Sequence, residues 1–193
     1  MKKIAVVTIF SALIASPAWA DGTGKMYIAG DLGSASFTNA TMAFVGGGQA
    51  TFPNPGVVRV AAGFHFSPMM ALEVGYSIFG DSIVTVPSGS FTLQARSLQV
   101  AAIGSFPLNS QFDLTGKVGL ANNSYNLQTT GNAVVLAGAN SSQSDILLGI
   151  GAQVHLSPQM TLRAQYENYG KFDNFAQPLS ASTISVGMVM NFQ

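Results

Sequence analysis

From residue 26 onward the chain alternates with period two, and the two faces of that alternation are unlike each other. In the segment 58–66, Val58, Val60, Ala62, Phe64 and Phe66 share one face, while Arg59, Ala61, Gly63 and His65 share the other. Leu72, Val74, Tyr76 and Ile78 alternate with Glu73, Gly75 and Ser77. The same division recurs over 112–121, 146–156, 162–167 and 184–192, and less cleanly over 26–33 and 97–106. The spacing therefore predicts eight strands of about ten residues each.

A soluble antiparallel sheet hides its apolar face and exposes many Lys and Glu. Here the second face carries Gly, Ala and Ser with isolated charges, so it reads as enclosed rather than solvated. Composition agrees: charged residues make up 8% of the 193, against about a quarter in a typical globular domain. No stretch after residue 20 offers the ~18 consecutive apolar residues of a membrane helix. Low charge excludes a disordered chain, and a formal net charge of zero excludes the basic stripe of a nucleic-acid binder. A tilted strand of about ten residues spans a bilayer, and a sheet in hydrocarbon must close on itself. Eight strands leave an interior just wide enough for side chains to fill. The expected fold is all-β: an eight-stranded antiparallel up-and-down transmembrane β-barrel, with a periplasmic soluble sandwich as the competing arrangement.

Residues 1–20 read as an export signal. Met1-Lys2-Lys3 is a basic start, Ile4 to Ile14 is apolar, and Ala18-Trp19-Ala20 forms a small-residue cleavage site before Asp21. Residues 21–193 are then the barrel domain, with six basic and eight acidic residues and a net charge of about −2. The absence of cysteine removes disulfides and a lipidation site.

Connections sort by length. Those at Ser67-Pro68-Met69, Pro107 to Gln111 and Ser157-Pro158-Gln159 are tight, and those over roughly 37–56, 80–91, 122–144 and 170–180 are long and rich in Gly, Asn and Ser. In outer-membrane barrels the short turns face the periplasm and the long loops face outward. Residues 63–76 and 153–166 also repeat, sharing His, Ser, Pro, Met, Leu and Tyr at a constant offset of 90. Glu73 and Arg163 occupy equivalent places in the two units, on the third and seventh strands. Both point inward, so a lumen ion pair is expected, either plugging the barrel or gating an ion path. Arg59, Asp31, Lys117 and Glu167 are expected to join it. A buried charge needs such partners or costs several kcal/mol.

These residues resemble the OmpA-like outer-membrane β-barrel family of Gram-negative bacteria. The likeness runs from Lys25 to Phe192. It rests on Tyr27-Ile-Ala-Gly-Asp-Leu-Gly33, on Ser67-Pro68 leading to Leu72-Glu-Val-Gly-Tyr76, and on Ser157-Pro158 leading to Leu162-Arg-Ala-Gln-Tyr166. Ser185, Gly187, Met190 and Phe192, followed by Gln193, resemble the family's assembly signal. The resemblance also implies an acid–base pair blocking the lumen, matched by Glu73 and Arg163. The family's further interior acid and base would fall near Gln153 and Ile103, neither of which ionises. Larger members carry a peptidoglycan-binding domain after the barrel. This chain stops at the barrel, so no cell-wall anchoring is expected.

Candidate chemistry is sparse. His155-x-Ser157 with Glu167 resembles the set of outer-membrane lipid A deacylases, and a Ser nucleophile needs a base within hydrogen-bond reach. Against that reading, His155 points inward, Ser157 lies in a tight turn, and His65-x-Ser67 repeats the pattern. Gly46-Gly47-Gly48 lacks the strand-to-helix context of a phosphate loop. Two distant histidines without cysteine give no metal set. Tyr76, Tyr166, Phe66, Phe106 and Phe112 read as girdle aromatics. The expectation is a monomeric, non-enzymatic outer-membrane protein with no cofactor and no metal. It would meet lipid, lipopolysaccharide and the barrel-assembly machinery. A role in envelope integrity is expected, with loops that adhere to or recognise a host or phage surface. A narrow or gated pore and a lipid A-modifying hydrolase are the alternatives.

Overall fold

Alternation of this kind can hide its small and charged face only if the sheet curls until its ends meet, and it does. The computed structural model describes residues 24–38, 41–43, 49–51, 53–86, 89–131, 140–171 and 180–192. The expected export signal, Gly46-Gly47-Gly48 and Gln193 lie outside them. Eight long strands form the ring: β1 (Lys25–Thr38), β4 (Gly56–Ser67), β5 (Met70–Phe79), β7 (Gly89–Pro107), β8 (Phe112–Gly131), β9 (Asn140–His155), β10 (Met160–Lys171) and β11 (Ser180–Asn191). Each pairs antiparallel with its sequence neighbour in the ring. β1 pairs with β11, and the β5–β7 ladder completes the circle. Three short strands lie between them: the hairpin β2 (Thr41–Ala43) and β3 (Gln49–Thr51), and β6 (Ser82–Val86).

The predicted faces hold strand by strand. Ile28, Val60, Leu72, Val100, Leu120, Ile150 and Ile184 are exposed on the outside, while Ala29, Ala61, Ala101 and Ala121 are buried inside. In water, such a continuous apolar surface would be an aggregation site. In a bilayer it meets solvent of its own kind. Tyr76, Tyr166, Phe66, Phe106 and Phe112 are also exposed on this outer surface.

The three tight connections are closed by side chains accepting backbone N–H groups. Ser67 Oγ accepts from Met69 N at 3.3 Å, and Ser157 Oγ accepts from Met160 N at 3.0 Å. Asn109 Oδ1 accepts from Gln111 N and Phe112 N at 2.9 and 3.0 Å. Such local bonds stand in for the ladder where the strands reverse.

Two of the segments read as long loops are largely strand. β7 begins at Gly89, β8 runs on to Gly131 and β9 starts at Asn140, so much of 80–91 and 122–144 belongs to the sheet. β6 continues the line of β5 against β7. Ile78 pairs with Arg96 and Ser82 with Leu93, one extra residue on the β5–β6 side, which is a bulge. The stretch 37–56 likewise contains the β2–β3 hairpin. The physical reason is a reversal of the pattern. Beyond the apolar band the outward residues become polar (Gln94, Asn122, Asn126 and Gln128), while Phe91, Leu93, Tyr125 and Leu127 turn inward and are buried. A search for apolar residues on the lipid face therefore stops where the strands do not.

Candidate functional site

Three layers fill the lumen. Near the tight turns lies a floor of Tyr27, Ala29, Ala61, Ala71, Ile103 and Val189. Furthest from them is an apolar layer that includes Phe79, Phe91, Leu93, Leu127, Leu147 and Tyr169. A belt of ionisable groups crosses the lumen between the two.

The belt contains Asp31 on β1, Arg59 on β4, Glu73 on β5, Lys117 on β8, and Arg163 and Glu167 on β10, all buried. Each inward position follows from the period-two rule, because a strand that turns its apolar residues to lipid must turn the alternate ones inward. Three carboxylates face three cations, so the belt is neutral overall. Arg163 Nη1 donates to Glu73 Oε2 at 2.8 Å. Arg163 also grips Asp31 with two donors, Nε at 2.7 Å and Nη2 at 2.5 Å. Arg59 Nη1 donates to Asp31 Oδ2 at 2.9 Å, and Arg59 Nη2 is paired with Glu73 Oε1. Lys117 Nζ bridges Glu73 Oε1 at 2.9 Å and Glu167 Oε1 at 2.5 Å. The unit is thus a six-charge net with Glu73 and Asp31 as its hubs, rather than one pair.

Uncharged groups complete it. Tyr27 OH donates to Glu73 Oε2 at 3.0 Å, and Tyr169 OH donates to Glu167 Oε2 at 2.9 Å. Gln99 Oε1 accepts from Arg59 Nε at 3.0 Å, while its Nε2 donates to Ser77 Oγ at 2.8 Å. Alternation placed Tyr27, Gln99 and Ser77 on the lumen face but gave them no role. Tyr169 is found by stepping two residues on from Glu167. Two glycines make room for the net. A Cβ on Gly63 would collide with the Tyr27 ring that reaches past it, and one on Gly187 would collide with the Asp31 carboxylate and the Gly30 carbonyl.

Ser185 and Gly187 face the lumen on β11, whereas Met190 and, just beyond the strand, Phe192 are exposed outward. The base implied near Ile103 stands directly across the ladder, since Lys117 pairs with Ile103. The acid directly across the ladder from Gln153 is Asp113, which contacts His155, whereas the belt's Glu167 lies four residues past Gln153's other partner, Arg163. His155, Ser157 and Glu167 do not assemble. His155 Nε2 contacts Asp113 Oδ2 at 2.8 Å and its Nδ1 contacts Thr161 Oγ1 at 3.1 Å, while Ser157 Oγ holds the turn and Glu167 belongs to the belt. With both ring nitrogens engaged elsewhere, the histidine is not placed to activate that hydroxyl.

The arrangement closes a lumen. The belt is net neutral between two apolar layers, and its six ionisable groups are paired with one another.

Residues 5–192 match the model of the family described as "Outer membrane protein beta-barrel domain". Among solved structures, the chain is similar to neisserial surface protein A, at 22% identity over 86% of this chain and 97% of that one, with a TM-score of 0.59. It is similar to the N-terminal β-barrel domain of Pseudomonas aeruginosa OprF, at 12% identity over 89% and 100%, with a TM-score of 0.58. It is also similar to Ail, the attachment invasion locus protein of Yersinia pestis, solved in complex with the heparin analogue sucrose octasulfate. That likeness is 14% identity over 88% and 99%, with a TM-score of 0.56. At these identities the likeness is one of fold. No curated protein is significantly similar in sequence.

Proposed function

Since the chain belongs to the outer membrane protein β-barrel domain family and lies in the outer membrane, we propose that it is a closed, non-enzymatic barrel that supports envelope integrity and recognises partners through its outward parts. Its export would rest on residues 1–20, removed before Asp21. Its assembly would rest on Ser185, Gly187, Met190 and Phe192.

The observation that carries this reading is the contrast between the two ends of the strands. Inside the apolar band the ionisable groups of the lumen are paired with one another. Beyond it β6, β7, β8 and β9 continue as a sheet whose outward face carries amides and hydroxyls. Asn122 Nδ2 donates to Ser144 Oγ at 2.9 Å, and Gln94 Nε2 donates to Asp81 Oδ2 at 3.1 Å. Rigid strands that extend past the membrane hold the loops at a distance from it, and binding residues concentrate on loops held by a rigid scaffold. Ail, a neighbour in fold, was crystallised with a sulfated sugar, which supports seeking the partner on the outward side.

Deleting residues 44–48, 132–139 and 172–179 one segment at a time, each outside the strands of the ring, tests this, with binding to host cells, phage adsorption and envelope permeability as readouts. At least one deletion should lower surface binding several-fold while the barrel keeps its heat-modifiable gel mobility. Binding unchanged in all three deletions would overturn the recognition role.

A further inference from the structure

The belt does not lie symmetrically between its two apolar neighbours. On the side of the tight turns a vestibule of about 50 Å³ opens among Tyr27, His65, Gln153, His155, Thr161 and Arg163. A second, inner cavity shares Ile103, Gln153 and Arg163 with the vestibule and continues to Lys117, Gln165 and Glu167. Its volume open to a water centre is about 10 Å³, close to what one molecule needs.

The inner wall of that path is polar and incompletely satisfied. Gln165 is buried, its Oε1 lies 3.5 Å from Lys117 Nζ, and its Nε2 finds no hydrogen-bond partner among the described residues. Ser185, which pairs with Gln165 across the β10–β11 ladder, and Thr183, which pairs with Glu167, have buried hydroxyls in the same condition. A buried donor left unpaired costs roughly 1–3 kcal/mol, and a water that reaches it removes that cost. An anion would add charge to a belt that is already neutral, so a neutral, hydrogen-bonding molecule of water size is the better fit.

On the far side the surroundings change at once. Tyr169, whose hydroxyl caps Glu167, packs edge-on against Phe79 with ring centroids 5.6 Å apart. Leu147, Leu127 and Phe91 continue that layer, all buried. The polar groups buried beside it are already paired, Ser97 Oγ donating to Asn123 Oδ1 and Asn123 Nδ2 to the Tyr169 and Lys171 carbonyls, so they need no water, and apolar cavities stay dry.

We infer that the lumen is a hydrated half-channel: water enters from the periplasmic mouth, binds at Gln165 beside Lys117 and Glu167, and stops beneath the apolar layer of Tyr169, Phe79 and Leu147. The seal between the two sides of the outer membrane is then that apolar layer, and the ion belt is a wetted structure below it. This assignment is independent of what the loops recognise.

Water–protein magnetisation transfer, recorded by NMR on the full chain in lipid nanodiscs, tests it. Water cross-peaks are expected on the Gln165 side-chain amide and on Lys117 Nζ, and none on the methyls of Leu127 and Leu147. Gln165→Leu, which lines the inner cavity with an apolar group, should abolish the Lys117 cross-peak while Gln153 in the vestibule keeps its own. A dry Gln165 amide, water contacts at the Leu127 and Leu147 methyls, or an unchanged Lys117 cross-peak in Gln165→Leu would each overturn the inference.

Discussion

Glu73→Ala should destabilise the barrel by about 3–5 kcal/mol, the cost of removing one partner from a buried ionic contact. Glu73 accepts hydrogen bonds from Tyr27, Arg59, Lys117 and Arg163. Without it three buried cations face only Asp31 and Glu167. Tyr27→Phe is the calibrating variant. It deletes one donor and leaves Glu73 with its three cations, so it should cost about 1 kcal/mol. Glu73→Ala combined with Lys117→Met should cost less than the two separately, because residues in one network are not additive. Urea titration in lipid vesicles, read as the loss of heat-modifiable gel mobility, measures all of these. That readout suits a chain whose one tryptophan, Trp19, lies in the segment proposed to be cleaved. A Glu73→Ala barrel as stable as the wild type would mean that the belt contributes nothing to folding.

The second large effect is on the outer surface. Val118 is exposed on β8, between Leu114 and Leu120 on the same face, with Ala102 and Leu148 as its ladder partners. An arginine there would lie in hydrocarbon, and a lipid-facing charge near the midplane costs about 2–4 kcal/mol. Asn126 stands on the same strand and the same outward face eight residues further on, where the pattern has already turned polar. Asn126→Arg should change stability by no more than about 0.5 kcal/mol. The pair therefore brackets the edge of the membrane on one strand. Equal costs at the two positions would place the apolar band elsewhere.

That edge is also where the sequence stops being readable by simple alternation. Within the band the lipid demands apolar residues at every second position, so Val58 to Phe66 or Ile146 to Leu156 could be assigned to faces without any structure. Beyond it water replaces lipid, and the requirement moves to the interior. Tyr125 and Leu127 keep the period but on the opposite face, and the segment 122–144 then looks like a polar loop. The belt was legible in part for the same reason. Period two and the repeat at offset 90 bring Glu73 and Arg163 into one lumen. Which acid meets which base is decided by the stagger of the strands and by side-chain reach. Hence Arg163 donates two hydrogen bonds to Asp31 as well as one to Glu73, and Lys117 serves from beside Ile103. Gln99 and Tyr169 carry no charge and so gave no signal of their own, although the net needs both.

Family membership and the closed sheet place the chain in the outer membrane, and the paired belt beneath an apolar layer supports the proposal of a sealed barrel over a pore. Planar-bilayer recording of the purified, refolded protein decides between them most directly. The expected result is no steady single-channel current from the wild-type barrel. A steady conductance that Glu73→Ala abolishes or enlarges would contradict the sealed lumen.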